Sequence, residues 1–407
     1  MCPAILRARG QGFKARGSSG RAREWPGRMT MGTLCHFGEM DVPFGGSVGP
    51  RCPPVIDGTE QLRELGTRVR QAAWVALDTE ADSLHAYPEK LCLLQLAIPG
   101  EAVLIDPLAD IHLEPLWGAL DEREVIFHAA DYDLRLLFQG HHFRPAAIFD
   151  TMWAARLLGD ERFGLNDCLT RYLGITLEKG AQKANWGRRP LTDRMVEYAL
   201  NDVRFLHELA EAMRRRLQEM GRVDWHRQTC ARLIEECARP GQVDLDQVWR
   251  IKGHDRLDSL GLAVLRELWH WREKEAVRSN KPPFFILRHE VLSDLADQAA
   301  HQQGARGLKL PPFLTSRRRH GLTEAIERGL EVPASDRPVH VRVKSRRMTT
   351  AELDRAEDLR KVRDRCAGEL GIDPTLIASK ATLFALGRNV AEAWDGLLPW
   401  QRALLAE

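Results

Sequence analysis

AWVALDTEADSLHAYPEKLCLLQLAI, residues 73–98, is the stretch on which the reading of this chain turns. Ala73–Asp78 is a short apolar run ending in acids, which predicts a buried strand. Leu91–Ile98 predicts a second strand, and Pro99-Gly100 a turn into a third at Ala102–Ile105. In extended backbone, residues i and i+2 point to the same face, so Asp78 and Glu80 are expected to converge at the edge of the sheet. Acids at a strand end are more often turn residues than chemistry, and this pair carries weight only in company.

On either side the pattern continues. Glu124–Phe127 and Ala146–Phe149 predict two more strands. Helices are predicted over Gly58–Arg70, Leu113–Leu120 and Tyr132–Phe138, and from about Thr151, Leu165 and Leu191. Strands in quick succession, then helices and strands in alternation, predict an α/β domain with a mixed sheet over residues 55–222. Beyond Pro240-Gly241 the strand signals stop, and helices are predicted over Leu260–Arg278, Arg288–Gln302 and Ala351–Leu370. This divides the remainder into an all-α domain at 241–302, a basic linker at 303–349 and a helical C-terminal unit at 350–407. Residues 1–54, rich in Gly, Arg and Pro with little apolar periodicity, read as a disordered basic segment.

The 407 residues are 44% hydrophobic and 29% charged, enough to bury cores in two or three domains. No run approaches the roughly 20 apolar residues of a membrane helix. The absence of a G-x-x-x-x-G-K-[ST] run excludes a P-loop nucleotidase. Eight cysteines without a C-x-x-C pair read as reduced thiols of a cytoplasmic protein. Residues 57–225 hold 20 basic against 28 acidic side chains, whereas residues 303–350 hold 11 against 4. An acidic block followed by a basic stretch suits a metal-using centre whose polyanionic substrate is gripped elsewhere.

Two further acidic positions give Asp78 and Glu80 their company. Asp133 lies in HAADYDLRLLF (128–138), where a strand passes into a helix, and Tyr198 and Asp202 stand four apart on a late helix and so share a face. Close carboxylates repel one another unless cations neutralise them, and Mg²⁺ takes a few carboxylates plus waters and phosphate oxygens. Asp131 reads as a helix N-cap, Asp150 as a structural acid or a support for the site from behind the ligands, and the His141-His142 pair as surface.

On these residues, 57–222 resembles the DEDD 3′→5′ exonucleases in their Tyr-containing branch, most of all the ribonuclease D-like members. The likeness extends through Leu77–Ala97, Ile105-Asp106-Pro107, Phe149–Thr151 and Asn185–Val203. It implies a ribonuclease H-like fold with a five-stranded mixed sheet. It further implies that Asp78, Glu80, Asp133 and Asp202 hold two divalent cations, Mg²⁺ or Mn²⁺, and that Tyr198 orients the attacking water. His128, Trp186, Arg188 and Arg189 are candidate substrate contacts. For His128 a hydrogen-bonded core histidine is the stronger reading, and for Trp186 a packing role weighs equally.

Trp249–Ala296 resembles the HRDC domain, and Ile372-Asp373-Pro374-Thr375 suggests a second, diverged copy or a packing cap. Lys252, His254, Arg256 and the Arg317–Arg319 and Lys344–Arg347 runs are candidate phosphate contacts. The activity implied is a metal-dependent 3′→5′ exoribonuclease trimming tRNA precursors and other small structured RNAs. The nearest alternative is the same chemistry on DNA in repair. A non-catalytic RNA-binding protein is a third reading, which the complete acid set opposes. Because all five site residues lie within 78–202, a chain cut at about 240 is expected to keep its chemistry.

Overall fold

The computed structural model describes residues 55–178, 180–239, 244, 246–340, 346–389 and 391–406, so the N-terminal segment read as disordered lies outside the described residues. Six strands form one sheet in the order β1-β4-β3-β2-β5-β6: Val55–Ile56, Val75–Ala81 (β2), Leu91–Ile98 (β3), Glu101–Ile105 (β4), Glu124–Phe127 (β5) and Ala147–Asp150 (β6). β2, β3 and β4 are antiparallel neighbours, while β5 and β6 add in parallel. Five strands were expected. The sixth, β1, is a two-residue strand parallel to β4, too short for any periodicity to reveal. β2 also runs past Asp78 to Ala81, with a register shift at Glu80/Ala81. Such bulges re-aim side chains at the end of a strand.

Helices cover both faces. α1 (Thr59–Gln71), α2 (Glu114–Leu120) and α3 (Asp131–His141) close one face over Leu77, Leu94, Leu96, Val125 and Phe127. α4 (Thr151–Leu157), α5 (Leu165–Leu173), α6 (Asp193–Arg204) and α7 (Leu206–Glu219) lie with the other, over Ala76, Ala97, Leu93 and Phe149. Packing on the sheet continues past 222. α8 (Val223–Cys237) packs on β6 and α3, and its Cys230, Leu233 and Ile234 join the first core.

The segment expected to be a basic linker contains a helix. α9 (Ser259–Ser279), α10 (Pro283–Ile286), α11 (His289–Gln302) and α12 (Ser316–Leu330) share one core of Trp249, Leu262, Leu265, Leu268, Leu292, Leu322 and Ile326. Thr315 caps α12 by accepting from the Arg318 N–H. Leu322, Ala325, Ile326 and Gly329 form its buried stripe. Gly329 brings the backbones together: a Cβ there would lie 2.5 Å from Val264 Cα. The Arg317–Arg319 run conceals this periodicity at the helix start.

The C-terminal helices, α13 (Thr350–Leu370), α14 (Pro374–Ile377), α15 (Lys380–Gly387), α16 (Ala391–Asp395) and α17 (Pro399–Leu405), have no separate core. Cys366, Ile372, Ile377, Leu383, Trp400 and Leu405 belong to the same buried cluster as Phe149, Ala155, Cys168, Leu169 and Met213. Arg222 ties the two regions, donating from Nη1 to Leu157 O at 2.6 Å and from Nη2 to Leu370 O at 2.7 Å. Trp225 and Trp400 stack with centroids 4.8 Å apart. The packing is that of a cap.

Candidate metal centre

β2 places Asp78 opposite Gln95 and Glu80 opposite Leu93, on the sheet face that α6 crosses. α6 starts at Thr192, whose hydroxyl accepts from the Met195 N–H, and buries Met195, Val196, Ala199, Leu200 and Val203. That stripe leaves Tyr198 and Asp202 on the flank nearest β2. Ligand oxygens of Asp78, Glu80 and Asp202 all lie within 4.8 Å of one another. Asp133 stands beside them from the first turn of α3, and its Oδ1 accepts from the Thr79 hydroxyl at 2.5 Å. Thr79, between the two acids of β2, points to the opposite face, toward α3, and holds the fourth.

α3 is aimed from a distance. Asp150, at the end of β6, accepts from the N–H groups of Ala129 at 3.2 Å and Ala130 at 2.8 Å, and from Met152 and Trp153 at the start of α4. One buried carboxylate therefore anchors two helix starts, with Ala129 turning the chain at φ +62°. The structural reading of Asp150 stands. Asp131 is not the N-cap: it is the first residue of α3 and pairs with Arg135 at 2.9 Å, because Asp150 already holds the Ala130 N–H.

The electrostatics of the cluster favour a cation. Burial, then Asp133, Asp202 and Glu80, raises the Asp78 carboxyl well above its usual range. Glu80 is pushed up to about 9 by burial and by Asp202 and Asp133. Burial lifts Asp202 to about 7, against a hydrogen bond from Tyr198, and lifts Asp133 to about 6. No Lys or Arg among the described residues balances Glu80 or Asp202. A set of four close oxygen acids without a basic partner fits hard divalent cations. Tyr198 is itself raised, by burial and then by Asp202, Glu80 and Asp78, so its phenol is a hydrogen-bond donor at neutral pH.

The candidate substrate contacts fare differently. His128 Nδ1 lies 2.8 Å from the Thr151 hydroxyl, and burial pushes it down to about 4, so it is a neutral core histidine. Trp186 is 1% exposed, among Leu93, Leu104 and Met195, with its ring 6.1 Å from that of Tyr198; it backs the site and offers no face for stacking. Arg189 is also structural. Its fork grips Asp106 at 2.5 and 2.6 Å, and it donates to Cys92 O at 2.7 Å and Trp186 O at 2.8 Å. Arg188 remains exposed. In the helical region, Arg256 pairs with Asp294, Arg317 and Arg318 with Glu275, and Arg319 donates to Leu314 O and Pro312 O, so each of these side chains already has a protein partner. Lys344 lies outside the described residues.

Three contributors escaped the sequence reading. Thr79 gave no signal beyond its place in the motif. Gly180 adjoins the Tyr198 ring so closely that a Cβ would lie 1.8 Å from Cδ2. Gln95 did leave a trace, as the one polar residue in LCLLQLAI.

Comparison with known proteins gives the family. Residues 53–218 match a 3′-5′ exonuclease family model and residues 261–301 an HRDC domain model. Ribonuclease D of Gluconacetobacter diazotrophicus is 30% identical over 364 residues, covering 87% of this chain and 91% of that one. Ribonuclease D of Jannaschia sp. is 32% identical over 343 residues, covering 81% and 88%. The crystal structure of Escherichia coli RNase D superposes with a TM-score of 0.66 at 23% identity, over 87% of this chain and 96% of that one, a likeness of fold. No helix among the described residues is long and apolar enough to cross a membrane.

Proposed function

The chain belongs to the ribonuclease D family of 3′→5′ exoribonucleases, and on that premise we propose how its residues divide the work and what they work on. Asp78, Glu80, Asp133 and Asp202 hold two Mg²⁺ or Mn²⁺ ions. When bound, the cations lower the pKa of the attacking water and stabilise the leaving 3′ oxygen. Asp78 and Glu80 present their oxygens from a strand with little freedom, and Thr79 keeps Asp133 turned toward them. Tyr198 keeps its proton at neutral pH and in the metal-free fold spends its one O–H on Asp202; with Asp202 turned to a cation, that O–H would donate to the attacking water and orient it, taking no proton from it. Of the substrate candidates, Arg188 is exposed and, unlike Arg189, is not gripped by Asp106, which leaves it for a phosphate.

The substrates are the 3′ ends of tRNA precursors and other small structured RNAs, in the cytoplasm. The observation that carries the reading is the convergence of Asp78, Glu80 and Asp202 within 4.8 Å. The test is to incubate the protein and Mg²⁺ or Mn²⁺ with matched 5′-labelled RNA and DNA. A ladder shortened from the 3′ end on RNA is expected; faster shortening of DNA would move the substrate to the alternative. Asp78→Asn removes a ligand and with it several kcal/mol of transition-state stabilisation, about a thousandfold or more in rate. A variant keeping a tenth of the activity at saturating metal would sink the ligand assignment.

A further inference from the structure

Every residue of β3 is buried, and seven of its eight are apolar or Cys. The exception is Gln95, fully buried, with neither Oε1 nor Nε2 hydrogen-bonded to any protein atom. A carboxamide offers two donor hydrogens and an acceptor, and burying it unsatisfied is unfavourable. Leu or Met would fill a comparable volume without that cost, so packing alone gives no reason for Gln here.

Its place in the sheet supplies one. Gln95 is the cross-strand partner of Asp78. Directly opposed residues of an antiparallel pair share a face, with Cβ atoms about 4.5–5.5 Å apart. The flanking residues confirm which face: Leu77, Leu94 and Leu96 pack under α1, α2 and α3, whereas Ala76, Ala97 and Leu93 pack toward α6 and α7. Gln95 therefore leaves the sheet on the same face as Asp78, from the neighbouring backbone position, with its amide unclaimed by any other protein group.

We propose that Gln95 is a positioning residue for Asp78: its Nε2 donates to the ionised carboxylate and fixes which oxygen faces the cation. Outer hydrogen-bond partners of metal ligands orient them, and removing one typically weakens metal affinity by about 10–100-fold. The inference rests on Asp78 being a ligand. No proton moves in this role; the amide only narrows the rotamers open to its neighbour.

Gln95→Leu and Gln95→Met test it, with Asp78→Asn beside them. In EDTA, both Gln95 variants are expected to melt at or above the wild-type temperature, because an unsatisfied amide has gone. Calorimetric titration with Mn²⁺ is expected to show an affinity loss of about 10–100-fold. kcat on a short RNA should fall at limiting metal and recover in part in excess metal, with KM for RNA unchanged. A purely structural Gln95 would leave Mn²⁺ affinity untouched. If Leu prevents folding, the unbranched Met carries the same comparison. A crystal structure with Mn²⁺ bound decides without any substitution, since Nε2 must then lie within hydrogen-bond distance of an Asp78 oxygen. An amide directed elsewhere overturns the inference. Should Asp78→Asn itself keep Mn²⁺ affinity and activity, the metal reading falls and this one with it. Should Asp78→Asn lose both while the Gln95 variants lose neither, only the role of Gln95 falls.

Discussion

The two helical regions that follow the nuclease fold attach to it in opposite ways. Residues 249–330 surround a core of their own, and meet the catalytic domain at Tyr87, whose hydroxyl donates to Glu273 and whose N–H donates to Asn280. Residues 350–406 have no such independence, since their apolar side chains complete a cluster that begins on the catalytic sheet. Position in the chain is thus a poor guide to what is dispensable. The more distant region is the one built into the enzyme's core, and the nearer one is the accessory module.

Deleting residues 350–407 is the strongest way to break this contrast. It removes Cys366, Ile372, Ile377, Leu383, Trp400 and Leu405 from the buried cluster they share with the catalytic domain, and with them the contacts of Arg222 and Trp225. The expected product is aggregated or unfolded protein with no exonuclease activity, measured by solubility, melting and oligonucleotide cleavage. This reverses the expectation that a chain cut at about 240 keeps its chemistry. That expectation followed correctly from where the acids lie in the sequence. It missed the apolar face which the acids' own domain offers to a segment almost 200 residues away. A soluble, active 1–349 fragment would show the cap to be ornamental.

Trp400→Ala asks the same question more gently. Trp400 is 5% exposed and stacked on Trp225, and truncating a buried aromatic costs about 3–5 kcal/mol. Denaturant unfolding should show that loss in the transition of the catalytic domain itself. A loss confined to a separate, smaller transition would instead make the C-terminal helices an independent domain.

What was legible in the sequence follows from the range of each interaction. Asp78 with Glu80, and Tyr198 with Asp202, are local spacings on single elements, and the structure brings three of these acids together as the spacings implied. Trp186 and Arg189 belong to a loop whose partners, Asp106 and Cys92, lie on and beyond distant strands. Nothing local distinguishes an arginine free to hold phosphate from one already holding Asp106. Asp150 is similar, capping helices before and after itself in the chain. α12 was hidden because three arginines at its start resemble a solvated linker, although two of them neutralise Glu275.

Removing the metal sharpens the contrast from the catalytic side. In the unfolded chain the site carboxyls titrate near 4, but in the metal-free fold Asp202 holds its proton to about 7 and Glu80 to about 9. The native state therefore binds more protons than the unfolded one, and stability falls as pH rises through those values. His128 and His226, held down to about 4 by burial, act in the opposite sense below about 6.5. The buried thiols of Cys92, Cys168 and Cys237, pushed up to about 12, add a fall above about 8.5 that metal does not affect. Between pH 7 and 8.5 the melting temperature in EDTA should decline, and Mg²⁺ should abolish the decline by standing where the protons stood. Equal slopes with and without Mg²⁺ would mean that the carboxylates are not its site.

The smallest expected effect tests the accessory attachment. Tyr87→Phe removes one hydrogen bond, 2.5 Å to Glu273, whose other oxygen keeps its bond from Arg272 at 2.8 Å. A hydrogen bond lost from a charged acceptor costs about 1.5–3 kcal/mol, and the low end applies here because the acceptor retains another partner. Since residues 249–330 have their own core, that loss should fall on the contact between modules and leave the folding of each nearly intact. Calorimetry is then expected to show the helical module melting slightly earlier than the catalytic domain, a separation that Trp400→Ala would not produce. Hydrolysis of short single strands should be unchanged, because Tyr87 stands outside the acid cluster. KM on a structured RNA should rise a few-fold if the module helps to hold the substrate, and an unchanged KM would reduce the module to a neighbour of the active site.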